Sequence, residues 1–148
     1  MIYLAADHGG FELKRHLGEF LERNGYEVKD LGNSELNPND DYPDFAILAV
    51  RKVLEDPDKN MAILACRSGT GETILANRFS GIRATNSFSE KHSQKSREHN
   101  NSNVLALPAD YISFDIAEKI VAAWLSTEFS GDERHVRRLQ KIEEYSSK

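Results

Sequence analysis

Met-Ala-Ile-Leu-Ala-Cys-Arg-Ser-Gly-Thr-Gly-Glu-Thr-Ile-Leu-Ala-Asn, residues 61–77, runs from an apolar segment through the only cysteine and two glycines into a helical pattern. Strand, glycine loop and helix in that order build an oxyanion or phosphate cradle, because loop amides and the helix N-terminus point at one spot. Cys66 then stands at the carboxyl end of a strand, where open α/β sheets bind ligands. Glu72 falls in the first turn of the helix. A Walker-type loop needs Gly-Lys-Ser/Thr, and Gly71-Glu72-Thr73 replaces the lysine with an anion. A cysteine phosphatase loop would carry Arg at the position of Glu72. A carboxylate fixed on a phosphoryl group opposes its charge, so the loop suits an uncharged reacting centre, with Glu72 or Cys66 as base.

Outward from this stretch, apolar runs alternate with helical periodicities, the pattern of βα repeats around a parallel sheet. Strands are expected at 2–6, 26–31, 61–65, 82–85 and 103–107, and helices at 11–23, 43–55, 72–79, 89–98, 113–127 and 132–146. Residues 32–41 form the longest loop. The expectation is a three-layer α/β/α sandwich on a five-stranded parallel Rossmann-like sheet, one domain over residues 1–148. Leu13, Leu17, Phe20 and Leu21 face inward from the first helix, and Trp124 shares a core stripe with Ile116, Ala117, Ile120 and Val121.

With 148 residues, 39% hydrophobic and 29% charged, the chain has the composition of a soluble globular protein. Its net charge of −5 argues against general nucleic-acid or membrane-surface binding. A lone cysteine fits a reducing cytoplasm. The apolar opening, Met1 to Ala6, is too short for a signal peptide, and no run approaches membrane-spanning length.

In a parallel sheet the carboxyl ends of the strands open on one edge, so Asp7-His8, Cys66 to Glu72, Tyr42 and His99-Asn100 are expected to converge there. Asp7 could cap a helix, but a histidine beside it is more than a cap requires. The glycine turn should lower the Cys66 thiol pKa by offering it amide dipoles. The Ser68 hydroxyl would face any oxygen held in the loop, and His99 reads as loop chemistry. His16 and His92 read as solvent-facing. Arg134 and Arg138 are four apart on the last helix and could clamp a phosphate together, beside a packing stripe of Val136, Leu139 and Ile142. No spacing is that of a structural metal site.

These residues resemble the ribose-5-phosphate isomerase B family, which includes galactose-6-phosphate isomerase subunits. The resemblance rests on Asp7-His8-Gly9, Asp41-Tyr42-Pro43, Cys66 to Gly71, Ala76-Asn77-Arg78, Gly81-Ile82-Arg83, Arg97-Glu98-His99-Asn100, and Arg134-His135 with Arg138. It implies a homodimer, or a higher assembly, with active sites shared between subunits, and no metal or organic cofactor. The last helix would contribute to the dimer and to the phosphate site. The implied reaction is aldose–ketose interconversion of a phosphorylated sugar through a cis-enediolate.

On matching positions, His99 would open the sugar ring with Asp7 nearby, and Ser68 would relay a proton between O1 and O2. Amides of Ser68, Gly69, Thr70 and Gly71 would hold the enediolate. His8, Arg134 and Arg138, with His135 adjoining, would bind the phosphate, and Asn100 and Tyr42 the sugar hydroxyls. One branch of the family uses a cysteine at the position of Cys66 as base, and another a glutamate at that of Glu72. The Ser68–Glu72 pair with Asp40-Asp41-Tyr42-Pro43 looks more like the second. Arg67 stands where the family usually has Gly, adding a cation beside the base that could hold Glu72 or Cys66 ionised or touch the substrate, and Asp110 where it usually has an Arg on the phosphate.

The Asp110 substitution should weaken a phosphate placed in the family's usual way, and the resemblance still makes ribose 5-phosphate the best single expectation for the substrate. Its rivals are a four- or six-carbon sugar phosphate, a non-catalytic sugar-phosphate-binding protein and, last, a phosphatase.

Overall fold

Alternating apolar residues on the strands dictate a sheet buried on both faces. In β1 (Ile2–Ala6), Ile2, Leu4 and Ala6 join one core while Tyr3 and Ala5 join the other. The same alternation divides β3 (Met61–Cys66) and β5 (Val104–Pro108), buried along most of their length. Short β2 (Val28–Asp30) and β4 (Ala84–Asn86) close the edges. All pairings are parallel, in the order β2-β1-β3-β5-β4. The chain is described here by a computed structural model, over residues 1–146. Ser147 and Lys148, which the single-domain expectation includes, lie outside the described residues.

Right-handed crossovers assign the helices to faces. Leu13, Leu17 and Leu21 of α1 (Phe11–Arg23) and Ala117, Ile120, Val121 and Trp124 of α5 (Phe114–Ser126) fill one core. Against α5 packs α4 (Glu90–Asn100), whose Ser93 hydroxyl donates to the Ile120 carbonyl. Ala46, Ala49, Val50 and Val53 of α2 (Tyr42–Glu55) and Ala76 of α3 (Thr70–Ala76) fill the other core. The last helix, α6 (Glu133–Ser146), lies against α4.

The chain leaves β1 for one face and β3 for the other, and β5 again for the first. Crevices therefore open on both sides of the loop after β3. Among the described residues no helix is long and apolar enough to cross a membrane.

Five expectations need correction. The second strand is Val28–Asp30 rather than 26–31: Tyr26, just past the turn that ends α1, donates its amide to the Leu21 carbonyl instead of a neighbouring strand. The fourth strand is Ala84–Asn86 rather than 82–85, and Ile116, expected in the Trp124 core stripe, is 40% exposed. His99 and Asn100 belong to the last turn of α4 rather than to a loop. His16 is half-buried, with Nε2 2.7 Å from Glu118 Oε1 and its ring stacked on Phe114.

Candidate active site

The loop after β3 closes on itself around sulfur. Gly69 takes φ +71°, a left-handed conformation cheap only for glycine, and its amide donates to Cys66 Sγ at 3.1 Å. The Thr70 amide donates to Ser68 Oγ at 3.3 Å. Among the described residues, the amides of Gly71 and Glu72 have no protein acceptor. Gly71 is roofed by Tyr42, since a Cβ there would lie 2.5 Å from the phenol ring. Asn86, at the end of β4, donates to the Ser68 carbonyl at 2.9 Å and presses on Gly69.

Beneath this loop lies Glu72, with 0% exposure. Neither carboxylate oxygen meets a donor of good geometry. Burial first, then the charge of Asp7, hold its pKa well above the usual carboxylate range, against a lowering by the Cys66 thiol. Such an acid is a better base near neutrality than an exposed one. The thiol goes the other way from the sequence expectation. Burial and the nearby Glu72 push it up to about 12, outweighing the amides of Gly69 and Ser68. Cys66 is therefore held as a thiol, not a thiolate.

Across the first crevice, Asp7 is buried and its Oδ1 accepts from the amides of Gly9 and Gly10 at 2.9 and 3.3 Å. His8 gives its backbone amide and Nδ1 to Asp40 Oδ1, both at 2.8 Å. That bond, helped by Asp7 and opposed by Arg67, raises the imidazole pKa and favours the cation. Asp40 is held in turn by Asn33 Nδ2. Asp7, His8 and Asp40 bring ligand atoms within 4.8 Å of one another, the one grouping among the described residues able to surround a metal ion. Arg67 reaches over Gly9, and its Nη1 lies 3.4 Å from Asp110 Oδ2. The two family departures thus meet as one ion pair.

The structure joins Asp7, His8, Tyr42, Cys66, Arg67, Ser68, Gly69, Thr70, Gly71 and Glu72 at the carboxyl edge of the sheet. The convergence expected of His99 and Asn100 fails. They end a helix that runs back to the amino edge, before β5, so they lie about 13 Å or more away by strand rise alone. There His99 meets His135, ring centroids 4.5 Å apart, with Arg134 and Arg138 on the exposed side of the same helix. His135 Nδ1 sits 2.7 Å from Ser130 Oγ. Burial, then the neighbouring Arg134 and His99, lower its pKa and keep it neutral.

Sequence reading missed Asp40 as the partner of His8, and Asn86 as the support of the loop. Asp40 was visible only as an acid in a turn-rich run and in the branch-marking stretch Asp40-Asp41-Tyr42-Pro43, with nothing to pair it to His8. Asn86 lay one residue beyond the expected fourth strand.

The family model described as Ribose/Galactose Isomerase matches residues 2–142. A probable ribose-5-phosphate isomerase B of Mycoplasma genitalium is 40% identical over 97% of this chain and 94% of its own length. The Mycobacterium tuberculosis ribose-5-phosphate isomerase B is 36% identical over 97% of this chain and 88% of its own. Among solved structures, the Mycoplasma genitalium enzyme with bound ribulose-5-phosphate superposes with a TM-score of 0.96 at 39% identity, covering 99% of this chain and 96% of that one. Ribose-5-phosphate isomerase B of Clostridium thermocellum follows at 0.93 and 40%, covering 99% and 97%. On that match of sequence and fold, the chain belongs to the ribose/galactose isomerase family.

Proposed function

We propose that this chain is a cytoplasmic aldose–ketose isomerase of a phosphorylated sugar, interconverting ribose 5-phosphate and ribulose 5-phosphate as one domain that works in a homodimer. The observation that carries the reading is Glu72, wholly buried beside Cys66 under a loop with free amides. Ribulose-5-phosphate bound to the Mycoplasma genitalium relative supports the substrate.

In this mechanism Glu72 takes the proton from C2 of the open-chain aldose, and the C2–H electron pair becomes the C1–C2 double bond. The carbonyl pair moves onto O1. The amides of Gly71 and Glu72 stabilise that oxyanion, a charge that develops only as the proton leaves. Ser68 Oγ carries a proton from O2 to O1, and Glu72 returns its own proton to C1. Cys66 stays protonated beside Glu72 and steadies its charge. Tyr42 orients sugar hydroxyls, and cationic His8 attracts the phosphate.

His99, Asn100, Arg134, His135 and Arg138 reach this crevice from the second subunit. Their position at the opposite edge of the sheet supports a shared site, because one chain cannot bring the two sets together. His99 then opens the ring and the arginines clamp the phosphate.

Incubation with ribose 5-phosphate in deuterated water tests the reading. Ribulose 5-phosphate is expected to form, with deuterium at C1 only in those turnovers in which Glu72 exchanges its proton with solvent. Binding without conversion would favour a sugar-phosphate sensor, and faster turnover of a four- or six-carbon sugar phosphate would reassign the substrate.

A further inference from the structure

Arg67 and Asp110 meet where neither core packing nor the proton transfer requires them. Their backbones are tied together: the Ala109 amide donates to the Cys66 carbonyl at 2.9 Å, and the Asp110 amide to the Arg67 carbonyl at 3.0 Å. Only the side chains are free to rearrange. The Arg67 side chain is 66% exposed and that of Asp110 46%, and a single Nη1–Oδ2 contact of 3.4 Å joins them. A guanidinium has five donors in a fork suited to a phosphate or carboxylate, and this contact uses one of them. Exposed pairs of this kind are weak and readily exchanged.

Their place is informative. Arg67 directly follows Cys66, its stem lies against Gly9, and its charge is felt by His8. It thus spans from the β1 loop to the β5 loop across the mouths of both crevices. Any anion held beside His8 comes within range of Arg67, and of the Asp110 carboxylate behind it.

We propose that Arg67 and Asp110 form an exchangeable counter-ion pair that sets the charge selectivity of the site. Arg67 leaves Asp110 to hold the anionic group of the substrate, and Asp110 remains as a charge opposing that group. The inference rests on the proposed reading of the ligand as a phosphorylated sugar. It adds that the site carries a built-in competitor for its own anion ligand. Asp110 thereby weakens binding of the phosphorylated form and leaves that of the neutral sugar untouched.

Calorimetric titration of the full chain with ribose 5-phosphate, inorganic phosphate and ribose tests this, using wild type, Asp110→Asn, Arg67→Met and the double variant. Thermal melts check that each is folded. Asp110→Asn should tighten ribose 5-phosphate and phosphate about fivefold, the size of one like charge acting through water on a dianion a few ångströms away. Ribose should not change. Arg67→Met should weaken ribose 5-phosphate about tenfold, the worth of one exposed charged hydrogen bond. In the double variant the gain from removing Asp110 should shrink, since no cation is released. Unchanged or weaker phosphate binding by folded Asp110→Asn, or equal shifts for ribose and ribose 5-phosphate, would overturn the inference. A wild-type chain that binds ribose 5-phosphate without converting it would remove the isomerase reading and leave this comparison standing.

Discussion

At the amino edge of the sheet, buried polar groups are paired several times over. At the carboxyl edge, where Asp7 is paired, others are left short. Asn103, 2% exposed, donates to the Gly81 carbonyl and accepts from the Arg83 amide at 2.8 Å each. Ser102 receives the Trp124 indole N–H at 2.8 Å and meets the Ser96 hydroxyl at 2.8 Å, while Arg97 donates to its carbonyl. By contrast, every buried side-chain polar atom without a partner among the described residues lies at the other edge: Asn33 Oδ1, both oxygens of Glu72 and Asn86 Oδ1. Orphaned buried groups are rare and cost stability. Their confinement to one end separates a region built to hold the fold from one built to receive a ligand.

Removing the buried acid should break that contrast most sharply. Glu72→Gln should lower kcat about a thousandfold, the range for a lost general base. The same change should stabilise the fold. Because the carboxyl is held above its unfolded pKa, its ionisation costs stability once the pH rises past the usual carboxylate range, and the cost is absent below it. The gain in Tm, about 2–4 °C per kcal/mol, should therefore appear near pH 8 and vanish near pH 4.

Mixing two dead variants tests whether the two edges work across subunits. Glu72→Gln and His99→Ala, each inactive alone, should regain about a quarter of wild-type activity after subunit exchange. Half the dimers are then mixed, and each has one intact site. No recovery would assign both residue sets to one chain.

At the paired edge, Asn103→Ala should cost about 2–3 kcal/mol in denaturant unfolding, from two lost bonds and their abandoned partners. Activity per folded molecule should persist.

Smallest are the shifts of the pH profile. The base must be ionised, so activity rises with pH through the Glu72 pKa. Asp7→Asn removes a charge that raises this pKa and should move the acidic limb to lower pH. Cys66→Ala removes a group that lowers it and should move the limb higher.

The fold was legible because burial on both faces leaves apolar runs at 2–6, 61–65 and 103–107, and helix stripes such as Leu13, Leu17 and Leu21 face one core. The edge strands were less so. Ala84–Asn86 is only half-buried, and its reading slipped toward Ile82.

Lys14 shows a limit of pattern alone. It is 2% exposed, with its ammonium on Asp30 and the Asn33 carbonyl, though a lysine on a helix reads as surface.

At the site, the Asp7, Cys66 and Ser68–Glu72 segments were legible from strand ends and glycines. The state of Cys66 was not. The amides that lower its pKa are written next to it, but the burial that raises it is tertiary. The placement of His99 at the carboxyl edge of its own chain failed for a related reason, since periodicity places a residue on a helix without saying which edge that helix ends on.

The most direct test of the sealed proton carrier uses ribose 5-phosphate deuterated at C2, converted in ordinary water and examined at C1 of ribulose 5-phosphate. A Glu72 closed off from solvent should return part of the label to C1 before it washes out. Complete loss of deuterium at the earliest turnover would contradict it.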